Sequence, residues 1–191
     1  MKLSWSHKLF LKINSNIGKS RFFDALMYFC AIFLIYILGL TVLGWGAFVL
    51  FDKSPDQFAL LIKLLFTAHL FGFGISYVVA ILWKHPRPIA RFPDIKRMFK
   101  AVDTWKSFPS DHTMISYLLT FVAIMVGIPL WFGIVLVILS FIIGSARVYC
   151  GVHYPRDILG GVVWAGIIAL ASPWLLENIT QPIYNLVKAF F

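Results

Sequence analysis

Three short runs in this 191-residue sequence concentrate the side chains that handle anions and protons. The first is Lys84-His85-Pro86-Arg87-Pro88, the second Ser107-Phe108-Pro109-Ser110-Asp111-His112, and the third extends from Arg147 through Gly151, His153 and Pro155 to Asp157. Cleaving a phosphate ester or anhydride needs three things: charge neutralisation on its oxygens, a nucleophile at phosphorus and a proton for the departing oxygen. Arg87 and Arg147 suit the first, because a planar guanidinium matches phosphate oxygens and keeps its charge. A histidine can fill either of the others. Ser110, between Pro109 and an apolar run, stands near a helix N-cap, where the backbone N–H groups of Asp111 and His112 can face an anion. Gly151 allows a tight return and Pro155 favours the first turn of a helix, which places His153 just before that helix and Asp157 within it. A carboxylate accepting from one imidazole nitrogen leaves the lone pair of the other directed at a substrate.

The elements that must position these groups are apolar. The chain is 60% hydrophobic and 13% charged with a mean hydropathy of +0.85, far from the roughly one-quarter charged composition of soluble domains. We expect one all-α membrane domain over residues 1–191, a polytopic bundle of about five transmembrane helices preceded by an interfacial amphipathic helix over 1–21. The apolar stretches run from Ala25 to Phe51, Phe58 to Trp83, Met114 to Gly127, Leu130 to Gly144 and Ile158 to Leu176. Gly127-Ile128-Pro129 breaks the third from the fourth. Trp5, Leu9, Ile13 and Ile17 repeat every fourth residue and would form one apolar stripe on the first helix. A cleavable signal peptide fits poorly, since the apolar run that follows is too long. The tail from Glu177 reads as a surface-lying helix or a frayed end. Two connections are long, 84–112 and 145–157, and helix counting puts both on one side of the membrane with the N-terminal helix. That face is the expected active site.

Arg147-x5-His153-x3-Asp157, preceded by Pro109-Ser110-x-His112 and Arg87-Pro88, resembles the three-part signature of the type 2 phosphatidic acid phosphatase superfamily. Phe10-Leu11-Lys12-Ile13-Asn14, Asp24 at the start of the first span and the form of the second motif make the whole chain most similar to the bacitracin-resistance type of undecaprenyl diphosphatase. The resemblance implies metal-independent catalysis through a phosphohistidine, with no cofactor. By position, His153 would attack phosphorus, Asp157 would orient it, and His112 would protonate the leaving oxygen and later activate water. Arg87, Arg147 and Ser110 would bind the phosphoryl group. Nucleophile and acid need opposite protonation states, so a bell-shaped pH profile is expected. The chain departs from the pattern in three places. Ala80 stands where the superfamily usually has a lysine, with Lys84 as a substitute; Asp111 replaces a common glycine; and Ala146 replaces a common serine. An acid beside a phosphate is repulsive unless Asp111 turns outward, meets a cation or helps hold His112 protonated.

Plainer roles compete at several positions. The five basic residues from Arg91 to Lys106 read by default as lipid head-group contacts, Lys106 being the best exception. His112, His153 and Asp157 could be metal ligands, but no third neutral or anionic ligand has an evident place, so no metal is expected. Lys63 reads as snorkelling, His69 as packing rather than proton relay, Asp24 as a helix-dipole partner, and Gly160-Gly161 as a packing site. Two distant cysteines, Cys30 and Cys150, suggest neither a disulfide framework nor a zinc site.

The expected partners are membrane lipids and a polyprenyl diphosphate, cleaved to the monophosphate and inorganic phosphate, with no nucleic acid and no obligate protein partner. The same chemistry on phosphatidylglycerol phosphate, phosphatidic acid or a lipid A phosphate is an alternative, and a non-catalytic lipid-phosphate binder or transporter is another. All of the 17 Lys and Arg except Lys53, Lys63 and Lys188 fall on the site face. The positive-inside rule would make that face cytoplasmic. The resemblance implies the outer face of the cell membrane, where carrier recycling takes place.

Overall fold

The computed structural model describes residues 3–100 and 104–190. Lys2 of the basic N-terminus, residues 101–103 of the long connection and the final residue lie outside that set. In chain order the helices are α1 (Trp5–Asn14), α2 (Arg21–Ile32), α3 (Leu34–Trp45), α4 (Phe51–Lys53), α5 (Pro55–Leu82), α6 (Pro88–Arg91), α7 (Asp111–Met125), α8 (Leu130–Tyr149), α9 (Pro155–Leu175) and α10 (Gln181–Lys188). Two π-helical turns, Gly46–Leu50 and Leu176–Thr180, join α3 to α4 and α9 to α10. Among the described residues there is no strand, so the fold is all-α as expected.

Three continuous helices are long and apolar enough to cross a membrane: Pro55–Leu82, Leu130–Tyr149 and Pro155–Lys188. The first expected span is a fourth only as a bent pair, with α2 and α3 meeting at 51°. The bend has a visible cause. At the break, the carbonyl of Ala31 accepts a hydrogen bond from Arg147 Nη1 at 3.1 Å, and a side chain entering the i to i−4 ladder is a recognised source of kinks. The third expected span is α7, whose 15 residues rise about 22 Å, short of the roughly 30 Å hydrocarbon layer. By length and composition three helices qualify as spans, or four with the bent pair taken as one, and α7 is a shorter apolar helix in the remaining expected place.

Boundaries follow local chemistry. Ser54 caps α5, its hydroxyl accepting from the N–H of Gln57, with Pro55 in the first turn. Within α9, Pro173 removes the N–H that would reach Ala169, and the hydroxyl of Ser172 donates to that carbonyl instead, at 2.7 Å. The tail does not lie down as a separate surface helix; it continues α9 through the π turn, with no buried residue in α10. The N-terminal helix is shorter than expected and turned the other way. Its buried face is Ser6, His7, Phe10 and Asn14, whereas Trp5 and Leu9 of the apolar stripe are exposed. An interfacial helix does this when its polar face has partners in the protein and its apolar face meets lipid.

The main core lies where α3, α5, α7, α8 and α9 cross, around Leu38, Leu61, Leu118, Val122, Leu136, Ile143 and Ala165. α7 is its centre, packing on α9, α8, α5 and α3. The start of α7 approaches α9 so closely that a Cβ on Gly161 would lie 2.9 Å from the Ser110 carbonyl oxygen. The expected packing role of the Gly160-Gly161 pair is what this contact requires.

Candidate active site

The three polar runs meet at one end of the bundle, each delivered by a different device. Arg147 is the basic residue in the last turn of α8; the helix runs on past Gly144, so this arginine belongs to a helix end and not to the connection after it. Arg87 stands at the N-cap position of α6. The long connection is held at its ends by backbone pairing: Arg87 N–H donates to the Thr104 carbonyl and Ser107 N–H to the His85 carbonyl, both at 2.8 Å. Gly151, at φ +85°, turns the chain between α8 and α9, and a Cβ there would meet the Lys96 carbonyl oxygen at 2.6 Å.

His153 is 2% exposed and its ring is fixed at both nitrogens. Nδ1 lies 2.9 Å from the carbonyl oxygen of Ser107. A carbonyl only accepts, so Nδ1 carries the proton and Nε2 the lone pair. Arg87 Nη1 lies 3.1 Å from Nε2 and 3.2 Å from the Val152 carbonyl oxygen, donating to both. Asp157, expected to hold the ring directly, is 3.7 Å from Nδ1, too far for a hydrogen bond. Its Oδ2 instead accepts from Ser107 Oγ at 2.5 Å and from the Tyr154 N–H at 2.8 Å. Ser107 thus stands between the two members of the expected dyad: its carbonyl accepts from the imidazole Nδ1–H and its hydroxyl donates to the carboxylate. The tautomer is the one expected, reached through a different group.

Burial and the positive charges of Arg87 and Arg147 push the His153 pKa well below the usual histidine value, against the opposing pull of the Ser107 carbonyl. Both influences favour the neutral ring, the form that can offer a lone pair. Arg147 donates to the Ala31 carbonyl and stacks over Phe99 at 5.1 Å, so this candidate-site cation is tied to the bend in the first span. Ser110, fully buried, occupies the N-cap position of α7 without capping it; its hydroxyl accepts from Thr113 Oγ1 at 3.1 Å, and its N–H donates to the Asp157 carbonyl. His112 follows in the first turn of α7, half-buried at the mouth of the same cluster.

The structure therefore brings together Arg87, Ser110, His112, Arg147, His153 and Asp157. It does not add Lys84, which is exposed and makes no hydrogen bond or ion pair among the described residues. The buried lysine among the described residues of this connection is Lys106, 2% exposed, with Nζ 2.6 Å from each oxygen of Asp111. That contact resolves the problem of an acid beside a phosphate, since Asp111 meets a cation and also accepts from Ser76 Oγ at 2.9 Å. His85 turns to the other side, against Arg156, and burial with that charge lowers its pKa to about 4. His69 Nδ1 is bonded to the Leu65 carbonyl one turn earlier, the expected packing role. Asp24 accepts from the Gly18 N–H and from Tyr149 Oη, tying the first turn of α2 to the end of α8.

Sequence reasoning assigned no role to Ser107 or Asn14. Asn14 of α1 donates to the carbonyls of Lys96 and Tyr149 and accepts from the Lys96 N–H, joining the interfacial helix, the long connection and the end of α8. Neither residue carries a periodic or spacing signal, because each acts through contacts between segments far apart in the chain. Among the described residues no group of three His, Cys, Asp or Glu side chains could hold a metal ion.

Known proteins place this arrangement. The family model described as the PAP2 superfamily matches residues 59–181. The putative undecaprenyl-diphosphatase YbjG of Escherichia coli is 26% identical over 186 residues, covering 96% of this chain and 88% of that protein. The undecaprenyl-diphosphatase BcrC of Bacillus subtilis is 27% identical over 190 residues, covering 97% of this chain and 91% of its own length. The crystal structure of Aquifex aeolicus LpxE superposes with a TM-score of 0.72 at 24% identity, over 90% of this chain and 96% of that one, a likeness of fold. A matched model spanning all three motifs, together with apolar helices around a cluster of arginines and histidines, leads to one conclusion: the chain belongs to the PAP2 superfamily and is a membrane-embedded phosphatase.

Proposed function

We propose that this phosphatase removes the terminal phosphate of a polyprenyl diphosphate, undecaprenyl diphosphate, through a covalent phosphohistidine at His153. The observation that carries the chemistry is the locked ring, with Nδ1–H on the Ser107 carbonyl and the Nε2 lone pair facing Arg87. The names of the two full-length relatives support the choice of lipid.

In this mechanism an incoming terminal phosphoryl group draws the Arg87 guanidinium from Nε2 onto its own oxygens, and Arg147 and the N–H groups at the start of α7 complete the cradle. Nε2 attacks phosphorus and the bond to the bridging oxygen breaks. His112 gives that oxygen its proton, so the lipid monophosphate leaves. The now neutral His112 takes a proton from water, which attacks the phosphohistidine and releases inorganic phosphate, restoring both rings. Asp157 acts through Ser107, holding the carbonyl that keeps Nδ1 protonated.

Phosphate release from a panel of lipid phosphates in the presence of EDTA tests this. Selective release from the polyprenyl diphosphate, insensitive to EDTA and lost in His153→Ala, is the expected result. No release from the diphosphate, or activity abolished by EDTA, overturns it. We place the site on the outer face of the cell membrane, because Arg87, Arg147 and Lys106 are tied into the site and do not report topology. Labelling of Asp94→Cys from outside intact cells checks the placement against a background of two buried cysteines; labelling only after permeabilisation reverses it.

A further inference from the structure

The ion pair between Lys106 and Asp111 has a place in the site that structural bracing alone does not account for. Every other lysine in the described part of the long connection is exposed, whereas Lys106 is 2% exposed. Its neighbour in sequence, Ser107, holds both His153 and Asp157. Its partner, Asp111, lies between Ser110 and His112 in the first turn of α7. The ammonium also sits 4.3 Å from the centre of the Tyr77 ring on α5, and that ring is 51% exposed. Lys106 is therefore held between an exposed ring of α5 and the first turn of α7, paired with the residue that directly precedes His112 in sequence.

Resting on the diphosphatase reading above, we propose that Lys106 is a specificity-determining residue that binds the second, lipid-attached phosphate of the substrate, with Asp111 as the group that aims it. The arginines and helix N-terminus serve the phosphate that is transferred. A lipid monophosphate has only that one. A diphosphate brings further charge on the leaving side of the bridging oxygen, beside His112, and the lysine head answers it. An ammonium is a compact charge with three donors on a flexible stem, so it can keep a contact with Asp111 while reaching a phosphate oxygen. Asp111, doubly bonded to Nζ and anchored by Ser76, holds the lysine at the site while the pocket is empty.

The test compares a polyprenyl diphosphate with the corresponding monophosphate in wild type, in Lys106→Gln, in Lys106→Arg and in Lys106→Met with Asp111→Asn, the last removing both charges so that no carboxylate is left unpaired. The expected result is that the ratio of kcat/KM for diphosphate over monophosphate falls about tenfold in the variants without a cation, mainly through KM, the worth of one charged hydrogen bond. Lys106→Arg restores most of it. Inhibition gives a second reading that needs no turnover: pyrophosphate should inhibit wild type more tightly than inorganic phosphate, and the variants without a cation should lose the difference. A ratio unchanged in either folded variant lacking the cation, or a fall that Lys106→Arg does not relieve, overturns the assignment. A wild type that distinguishes pyrophosphate from phosphate through Lys106, yet releases nothing from the polyprenyl diphosphate, supports this subsite and overturns the lipid reading alone.

Discussion

The two ends of the bundle are built on different principles. At the site end, buried polar side chains reach across the chain to backbone carbonyls: Arg147 to Ala31, His153 to Ser107, Asn14 to Lys96 and Tyr149. At the other end the π-helical turn Leu176–Thr180 borders an apolar groove of about 530 Å³ lined by Phe51, Phe58, Phe66 and Leu176, with Lys63 at its wall. A hydrogen bond there between the hydroxyls of Thr67 and Thr180 spans 2.9 Å. Packing tolerates small displacements in the second region. In the first, the bonds of Arg147 and His153 fix groups that the proposed reaction would use, so the same displacement is expected to cost catalysis.

Substitutions can break that contrast, and the largest effect belongs to the nucleophile. His153→Ala should lower kcat by about three orders of magnitude or more with the fold retained, measured as phosphate release alongside trapping of labelled phosphoenzyme; a variant that still forms the adduct would move the nucleophile elsewhere. Arg147→Met should cost both activity and stability, since it removes a phosphate cation and the partner of the Ala31 carbonyl. A loss of about 1–3 kcal/mol is expected in detergent unfolding. Ser107→Ala keeps the carbonyl but deletes the hydroxyl on Asp157, and the expected loss is about 10- to 100-fold in kcat, the usual worth of a supporting partner. An unchanged kcat would make Asp157 a helix-start residue only.

Arg87→Gln sharpens the contrast through pH. Its positive charge helps hold the His153 pKa down, so removing it favours the imidazolium and raises that pKa. The acid limb of the kcat/KM profile, which follows deprotonation of the nucleophile, should therefore move to higher pH. A limb that stays in place or moves lower contradicts the assignment of His153 to it. The smallest effect is expected at the far end, where Thr67→Val should lower stability by about 1 kcal/mol and leave phosphate release within about twofold. A loss there comparable to that of Ser107→Ala would show the two ends to be coupled.

Much of this was legible in the chain. His153 and Ser110 fall where Gly151 and Pro109 predict, because such signals act within a turn or two of the residue concerned. The bend in the first span is less legible. Nothing local marks Phe33 as a break, since the cause is an arginine more than a hundred positions away. Lys84 was the natural choice for a basic residue beside Arg87, and Lys106 could not be preferred to it until the pairing of His85 with Ser107 was visible. The stripe of Trp5 and Leu9 is apolar by sequence, yet apolarity does not say whether lipid or protein receives it.

Composition and short-range chemistry by themselves determined that the chain is a helical membrane protein, that its polar runs sit at helix ends, and that those runs suit phosphoryl transfer. Hydropathy, caps and turn residues act locally and survive without knowledge of neighbours. Which atom of His153 carries the proton, which cation is buried, and whether Asp157 touches the ring or acts through Ser107 were decided only by the tertiary structure. Those choices depend on distances of a few tenths of an ångström between segments that meet only when the bundle closes.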